Sequence, residues 1–289
     1  MFRTIHFRIF KKCKFVSMNN LVQRTITGAI FAFVVLGSIL WSPYAQAAVF
    51  SIFMVLGLIE FYNLFREHPI VRVSREIGVF IGIFIFVLLV GVSFELFKPI
   101  SIVVIFPLFF TLILEELWRK KENPLINISV LVFGIIYIVA PFYLTIDLNV
   151  RTADNAMPHV IGMYLLMWTN DTFAYLTGRL VGRTPLFPRI SPKKTWEGTI
   201  GGILFTILLG FVIGAYINRG EELFWVISAL IIAPCAIFGD LLESLFKRSL
   251  NIKDSGNILP GHGGILDRFD AALFGIPFFY CWSMFYEYF

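Results

Sequence analysis

Residues 239–270 read GDLLESLFKRSLNIKDSGNILPGHGGILDRFD, and they lie between two apolar runs, near 223–242 and 269–287, each long enough to enter a bilayer. Nine formal charges and one histidine fall within these 32 residues. Ionisable groups at a hydrocarbon boundary are costly, and where they cluster they mark function by default. A loop that merely orients two spans needs neither acids alternating with bases on the buried side nor a Gly-His-Gly-Gly turn. The same contrast decides the fold: membrane-length apolar helices joined by short polar connections.

The rest of the chain repeats that pattern. Its 289 residues are 58% hydrophobic and 15% charged, with a mean hydropathy of +0.81, whereas a soluble domain is about 25% charged. Since about 20 apolar residues cross a bilayer, nine candidate spans follow, near 25–41, 43–65, 76–97, 99–117, 126–146, 158–178, 198–217, 223–242 and 269–287. This predicts an all-α, polytopic integral membrane protein. A basic cytoplasmic N-terminal segment, 1–24, precedes a single membrane domain over 25–289. No internal repeat, low-complexity tract or soluble domain is visible.

Loop charge tests the count independently, because cytoplasmic loops collect Lys and Arg. With the N-terminus inside, the inner segments hold 21 of the 24 Lys and Arg, and only Lys98, Arg151 and Arg219 fall outside. That alternation places 239–270 on the cytoplasmic side and the C-terminus outside. It also explains the net charge of +5 without invoking nucleic acid. Cys13, Cys235 and Cys281 are scattered, with neither metal-ligand nor disulfide spacing. The opening MFRTIHFRIFKKCKF lacks a small-residue cleavage site. It reads either as a short segment on anionic lipid or as sequence upstream of a start at Met18 rather than Met1.

Several groups could carry chemistry. Asn170 and Asp171 fall about two turns before the cytoplasmic end of span six, with Tyr175 and Gly178 on the same helical face as Asp171. A carboxylate at that depth calls for a polar cavity or a cation. Ser191-Pro192-Lys193-Lys194-Thr195-Trp196-Glu197-Gly198 then leads into span seven as a rigid turn, placing two ammonium groups near a helix start that favours anions. Gly198 and Gly202 form a small-xxx-small pair suited to helix packing. If span eight stays helical past Gly239, then Asp240, Ser244 and Lys247 share a face, with Arg248 beside it. His262 sits among glycines where backbone can approach a phosphate. Asp267, Arg268 and Asp270 open span nine, so Asp267 can face Asp240 across an antiparallel helix pair, an arrangement that suits Mg2+ on phosphate oxygens. Lys253 and Asp254 have an equally good explanation as a loop ion pair. Glu60 and Arg66, near the inner end of span two, either line a lipid entrance or pair with each other.

At these residues the sequence resembles the phosphatidate cytidylyltransferases (CDP-diacylglycerol synthases). That family's pattern runs here from Ser244 through Lys247-Arg248, Lys253-Asp254 and His262-Gly263-Gly264 to Asp267-Arg268 and Asp270, a span of 27 residues with every position filled. The likeness is strongest over 168–271, where the catalytic part is expected; Ala271 departs from the Ser that many members carry. The resemblance implies the reaction CTP + phosphatidate → CDP-diacylglycerol + pyrophosphate, with Mg2+ and, in some members, a monovalent cation such as K+. On this reading Asp240 and Asp267 are metal ligands, and Lys247, Arg248 and Arg268 neutralise phosphates. Ser244 and His262 contact or orient them. Asp171, Ser191, Lys193, Lys194, Lys253, Gly263 and Gly264 complete the substrate site. The expected partners are CTP, phosphatidate and the lipid bilayer, with no nucleic acid and with a homodimer allowed. The expected location is a bacterial inner (cytoplasmic) membrane, multi-pass, with the active site facing the cytoplasm. A CTP-dependent lipid-alcohol kinase would release CDP instead of pyrophosphate. A transporter would show pseudo-symmetric halves, which this sequence lacks.

Overall fold

The computed structural model describes residues 20–66, 68–252, 255–256 and 263–288, with side chains from Thr25 onward. The N-terminal segment through 19 with both candidate starts, and also Lys253, Asp254, His262 and Phe289, lie outside the described residues.

Apolar runs bounded by proline, serine and charged residues become nine helical rods among the described residues. They are α1 (Asn20–Trp41), α2 (Pro43–Asn63), α3 (Arg75–Ser93), α4 (Ile105–Arg119) entered through a 3-10 turn at Pro99–Val104, and α5 (Pro124–Gly134) running into α6 (Ala140–Arg151). Then come α7 (His159–Val181), α8 (Trp196–Val212), α9 (Glu222–Ser249) and α10 (Leu266–Tyr288). Six rods are long and apolar enough to cross a membrane by length and composition. Of the other three, α7 and α10 interrupt their apolar sequence with Asn170, Asp171 and Arg179, and with Asp267, Arg268 and Asp270. These are the residues singled out for chemistry. The chain is a multi-pass, all-α membrane protein.

Local chemistry sets the boundaries. Ser42 caps α2 by accepting a hydrogen bond from Ala45 N at 3.1 Å, and Pro43 takes the first helical position, so the turn between the first two rods is a single residue. The third rod ends at Ser93 rather than near 97, because Leu96 N and Phe97 N fold back onto Gly91 O at 2.8 and 3.1 Å. Span eight does stay helical past Gly239, to Ser249. Two features depart from regular α-helix. A five-residue π segment, Ile135–Val139, interrupts the fifth rod and another, Ile213–Ile217, ends the seventh, and a two-stranded hairpin, β1 (Pro185–Phe187) against β2 (Ser191–Thr195), pairs Phe187 with Ser191.

The core is aromatic. Phe142 and Phe269 meet at 4.9 Å between ring centroids, and Phe50 meets Phe142 at 5.9 Å, joining α2, α6 and α10. α8 lies directly on α7: a Cβ at Gly198 would stand 2.7 Å from Ala174 O, so only glycine permits that approach.

Polar contacts at the two ends report the direction of the rods. Asp147 on α6 accepts from Ser93 Oγ of α3 (2.5 Å), Arg151 Nε (2.6 Å) and Tyr280 Oη of α10 (2.6 Å). The third, fifth and ninth rods therefore finish together. At the opposite end Glu60, near the end of the second rod, meets Ile265 N just before the ninth begins, at 2.7 Å. The second rod thus runs opposite to the third, fifth and ninth, as an alternating chain requires.

Candidate active site

The end of the bundle marked by Glu60 collects the second half of α7, the hairpin, the start of α8, the end of α9 and the start of α10. A cavity of about 350 Å3 opens among α7, the hairpin, α8 and α9, and Asp171, Tyr175 and Gly178 from α7 do share its wall, as their spacing predicts. Lys193 and Lys194 from β2 and Asp240 from α9 complete the other side, with Arg179, Thr195 and Thr199. The hairpin explains how a loop enters a helical site: Thr195 ends β2 and caps α8, accepting from Gly198 N at 3.2 Å. Glu197 ties the turn down by accepting from Arg183 N (3.1 Å) and Thr184 N (3.2 Å).

Lys194 joins the two walls. Its Nζ lies 2.5 Å from Asp240 Oδ2, and Asp240 Oδ1 accepts from Ser244 Oγ at 3.3 Å, one turn along the same face. Asp240 also belongs to an acidic cluster with Glu243 and Asp270, whose carboxylate oxygens all fall within 4.8 Å of one another. Glu243 is 5% exposed, and its Oε1 has no hydrogen-bond donor among the described residues. Three carboxylates at this spacing repel one another unless a cation joins them. Hard oxygens with an orphaned buried atom suit Mg2+, so the donor set fits the expected ion.

The carboxylate facing Asp240 is therefore Asp270, one turn further along α10 than the expected Asp267. The reason lies in where α10 begins. Its first residue is Leu266, so Asp267 stands in the first turn, where a negative charge meets unpaired backbone donors. Asp267 Oδ2 accepts from Gly264 N (2.8 Å) and Ser255 N (3.2 Å), while Oδ1 takes Lys247 Nζ at 2.7 Å. Lys247 also stands 2.6 Å from Glu243 Oε2, so one ammonium links the acidic cluster to the start of α10.

Gly263 and Gly264 have distinct roles in the geometry. Gly263 holds φ +82°, a left-handed conformation open chiefly to glycine. Gly264 lies flat against the Glu60 carboxylate, where a Cβ would collide. Its N–H is directed at Asp267 rather than outward.

Of the other expected site residues, Ser191 begins β2 and is half-buried. Arg248 and Arg268 are exposed at the ends of α9 and α10. Lys253 and His262 lie outside the described residues. Two residues near the cluster, Glu243 and Tyr137, escape sequence reasoning, and Glu60 takes a role other than either expected of it. Glu243 sits inside the quoted stretch, but it matches no motif position. Tyr137 is half-buried in the π segment between α5 and α6, within electrostatic reach of Asp270 and Glu243, and its buried Oη has no hydrogen-bond partner among the described residues. Glu60 neither lines an entrance nor turns toward Arg66. It is 3% exposed and points inward, accepting from Ser255 Oγ and Ile265 N. Only the π interruption at Tyr137 is of a kind that recurs at functional sites, and nothing in the sequence announces it.

Residues 22–286 match the Cytidylyltransferase family. The chain is 31% identical to a phosphatidate cytidylyltransferase of Haemophilus influenzae over 285 residues, covering 90% of this chain and 97% of that protein. It is 37% identical over 171 residues to one from Rickettsia prowazekii, covering 57% of this chain and 73% of the relative. A phosphatidate cytidylyltransferase of Staphylococcus epidermidis is 42% identical over 128 residues, and there the matched region spans about half of each protein, 44% and 49%.

Proposed function

The chain belongs to the Cytidylyltransferase family, and from that premise we propose that it transfers the cytidylyl group of CTP to phosphatidate. The products are CDP-diacylglycerol and pyrophosphate. One observation supports the reading above the others. Lys194 and Asp240, from segments 46 positions apart in sequence, are held 2.5 Å apart on the wall of a cavity that also presents Asp171, Lys193 and Arg179. Cations for a polyphosphate and acids for a metal ion thus stand together at one end of a membrane bundle.

In the proposed step an oxygen of the lipid phosphate attacks the α-phosphorus of CTP. A new P–O bond forms, the bond to the bridging oxygen of the β-phosphate breaks, and pyrophosphate leaves with that electron pair. The attacking oxygen is already anionic, so no side-chain nucleophile is needed and catalysis is positioning with charge neutralisation. Lys193, Lys194 and Arg179 would hold the triphosphate. Asp240, Glu243 and Asp270 would hold Mg2+, which when bound neutralises charge on phosphate oxygens. Lys247 would keep Glu243 and Asp267 in register, and Arg248 and Arg268, at the exposed end, would meet the lipid phosphate.

We place the site at the cytoplasmic face of a bacterial inner membrane. The concentration of Lys and Arg in the alternate loops supports that orientation, and CTP is a water-soluble substrate while phosphatidate lies in the leaflet. Purified protein should release pyrophosphate from CTP only when phosphatidate is present. Release of CDP in its place would reject the reading.

A further inference from the structure

The expected catalytic segment lies within 168–271, yet a carboxylate from the second rod is built into it. We propose that Glu60 is a positioning residue for the transferase site, holding the loop that precedes α10 so that Asp267 and Lys247 keep their places; this rests on the function proposed above.

Glu60 is 3% exposed, and a buried carboxylate requires donors. Both of its oxygens find them on one loop. Oε1 accepts from Ser255 Oγ, and Oε2 accepts from Ile265 N at 2.7 Å. Each donor stands next to a contact of Asp267. Ser255 gives its backbone N–H to Asp267 Oδ2 at 3.2 Å, and Gly264, the neighbour of Ile265, gives its own at 2.8 Å. Asp267 Oδ1 then holds Lys247, and Lys247 holds Glu243 of the acidic cluster at 2.6 Å. Two short paths therefore run from Glu60 to Asp267, and one continues to the candidate metal ligands. The loop is shaped around the carboxylate from both sides. A Cβ at Gly256 would stand 2.9 Å from Glu60 Cδ, and one at Gly264 would collide with the carboxylate. Glu60 itself does not line the cavity, so it acts through Asp267 and Lys247 rather than on substrate.

Glu60→Met tests this with little change of volume. A thioether gives Ser255 Oγ and Ile265 N no carboxylate to bond, so both bonds are lost. Glu60→Gln can keep both, its carbonyl accepting from Ile265 N and its NH2 donating to Ser255 Oγ, and should retain most of the activity. Small displacements of catalytic groups cost up to about a hundredfold, and the expected result for Glu60→Met is kcat lower by about 10- to 100-fold. The KM values for CTP and phosphatidate should stay within about twofold of wild type, the pattern of a lost transition-state contribution. Hydrogen exchange of the Ile265 amide should accelerate while the helices keep their protection. Ser255→Ala removes one bond from the loop side without touching α2. The double variant Glu60→Met, Ser255→Ala should be no slower than Glu60→Met alone, because the hydroxyl it removes has already lost its partner.

Unchanged kcat in both Glu60→Met and Ser255→Ala would overturn the proposal, as would strictly additive losses in the double variant. Exchange accelerating throughout the helices would also overturn it, since that marks a general stability role. Exchange at Ile265 is read without turnover. If the wild-type protein makes no CDP-diacylglycerol, the functional reading fails on its own, and protection of Ile265 still reports whether Glu60 holds the loop.

Discussion

Lys194 Nζ stands 2.5 Å from Asp240 Oδ2 and so joins the hairpin before α8 to the polar half of α9. Two segments that look independent in sequence thereby form one site. A hydrogen bond to a charged group contributes about 1.5–3 kcal/mol, and each 1.4 kcal/mol is about tenfold in rate. Lys194→Ala should therefore lower kcat/KM for CTP by about 10- to 100-fold. Steady-state kinetics at saturating phosphatidate measures this, and an unchanged kcat/KM would remove Lys194 from the site.

The acidic cluster and Asp267 should separate in their metal dependence. Asp240→Asn and Asp270→Asn each remove a ligand from the cluster with Glu243, so both should weaken Mg2+ binding and lose activity that higher Mg2+ partly restores. Asp267→Asn should lose activity without shifting Mg2+ affinity, because its oxygens hold Lys247 and two backbone N–H groups. Calorimetric titration with Mg2+, and its reversal by a chelator, distinguishes the two. Loss of Mg2+ affinity in Asp267→Asn would return that residue to the ligand set.

Lys247 is mostly buried between two acids, with 15% of its side chain exposed and 7% and 8% for Glu243 and Asp267. Removing one partner of a buried ion cluster costs about 3–5 kcal/mol, since the remaining charges stay desolvated. Lys247→Met should lower thermal stability in detergent accordingly, and adding Glu243→Gln should recover part of the loss.

Gly263→Ala and Gly264→Ala should fail for different reasons. The first forces a side chain into the left-handed region at φ +82°, at a cost of about 1–2 kcal/mol. The second drives a methyl group into the Glu60 carboxylate. Thermal melts should show both destabilised, and Glu60→Ala should relieve only the second.

Much of this architecture can be read from hydropathy and loop charge, because membrane spans answer to length and composition. The nine expected spans correspond to the nine rods, and the alternating sense agrees with the contacts of Asp147 and Glu60. The helical spacing of Asp240, Ser244 and Lys247 is equally legible, as is the shared wall of Asp171, Tyr175 and Gly178. What sequence reasoning misses depends on geometry between distant elements. Whether Asp267 or Asp270 faces Asp240 turns on the first residue of α10, and a boundary shift of one turn exchanges them. Glu60 and Ile265 are 205 positions apart, and no local pattern relates them. Strands of three and five residues containing proline give too little alternation to announce the hairpin around Lys193 and Lys194. The π segment carrying Tyr137 has no compositional mark.

Transfer of label from CTP tests the central claim most directly. Purified protein is incubated with phosphatidate, Mg2+ and CTP labelled at either the α- or the γ-phosphate. The account predicts that α-label enters the lipid fraction and that γ-label leaves as pyrophosphate, with both lost in Asp240→Asn. Entry of γ-label into lipid, with α-label remaining in CDP, would contradict it and identify a kinase.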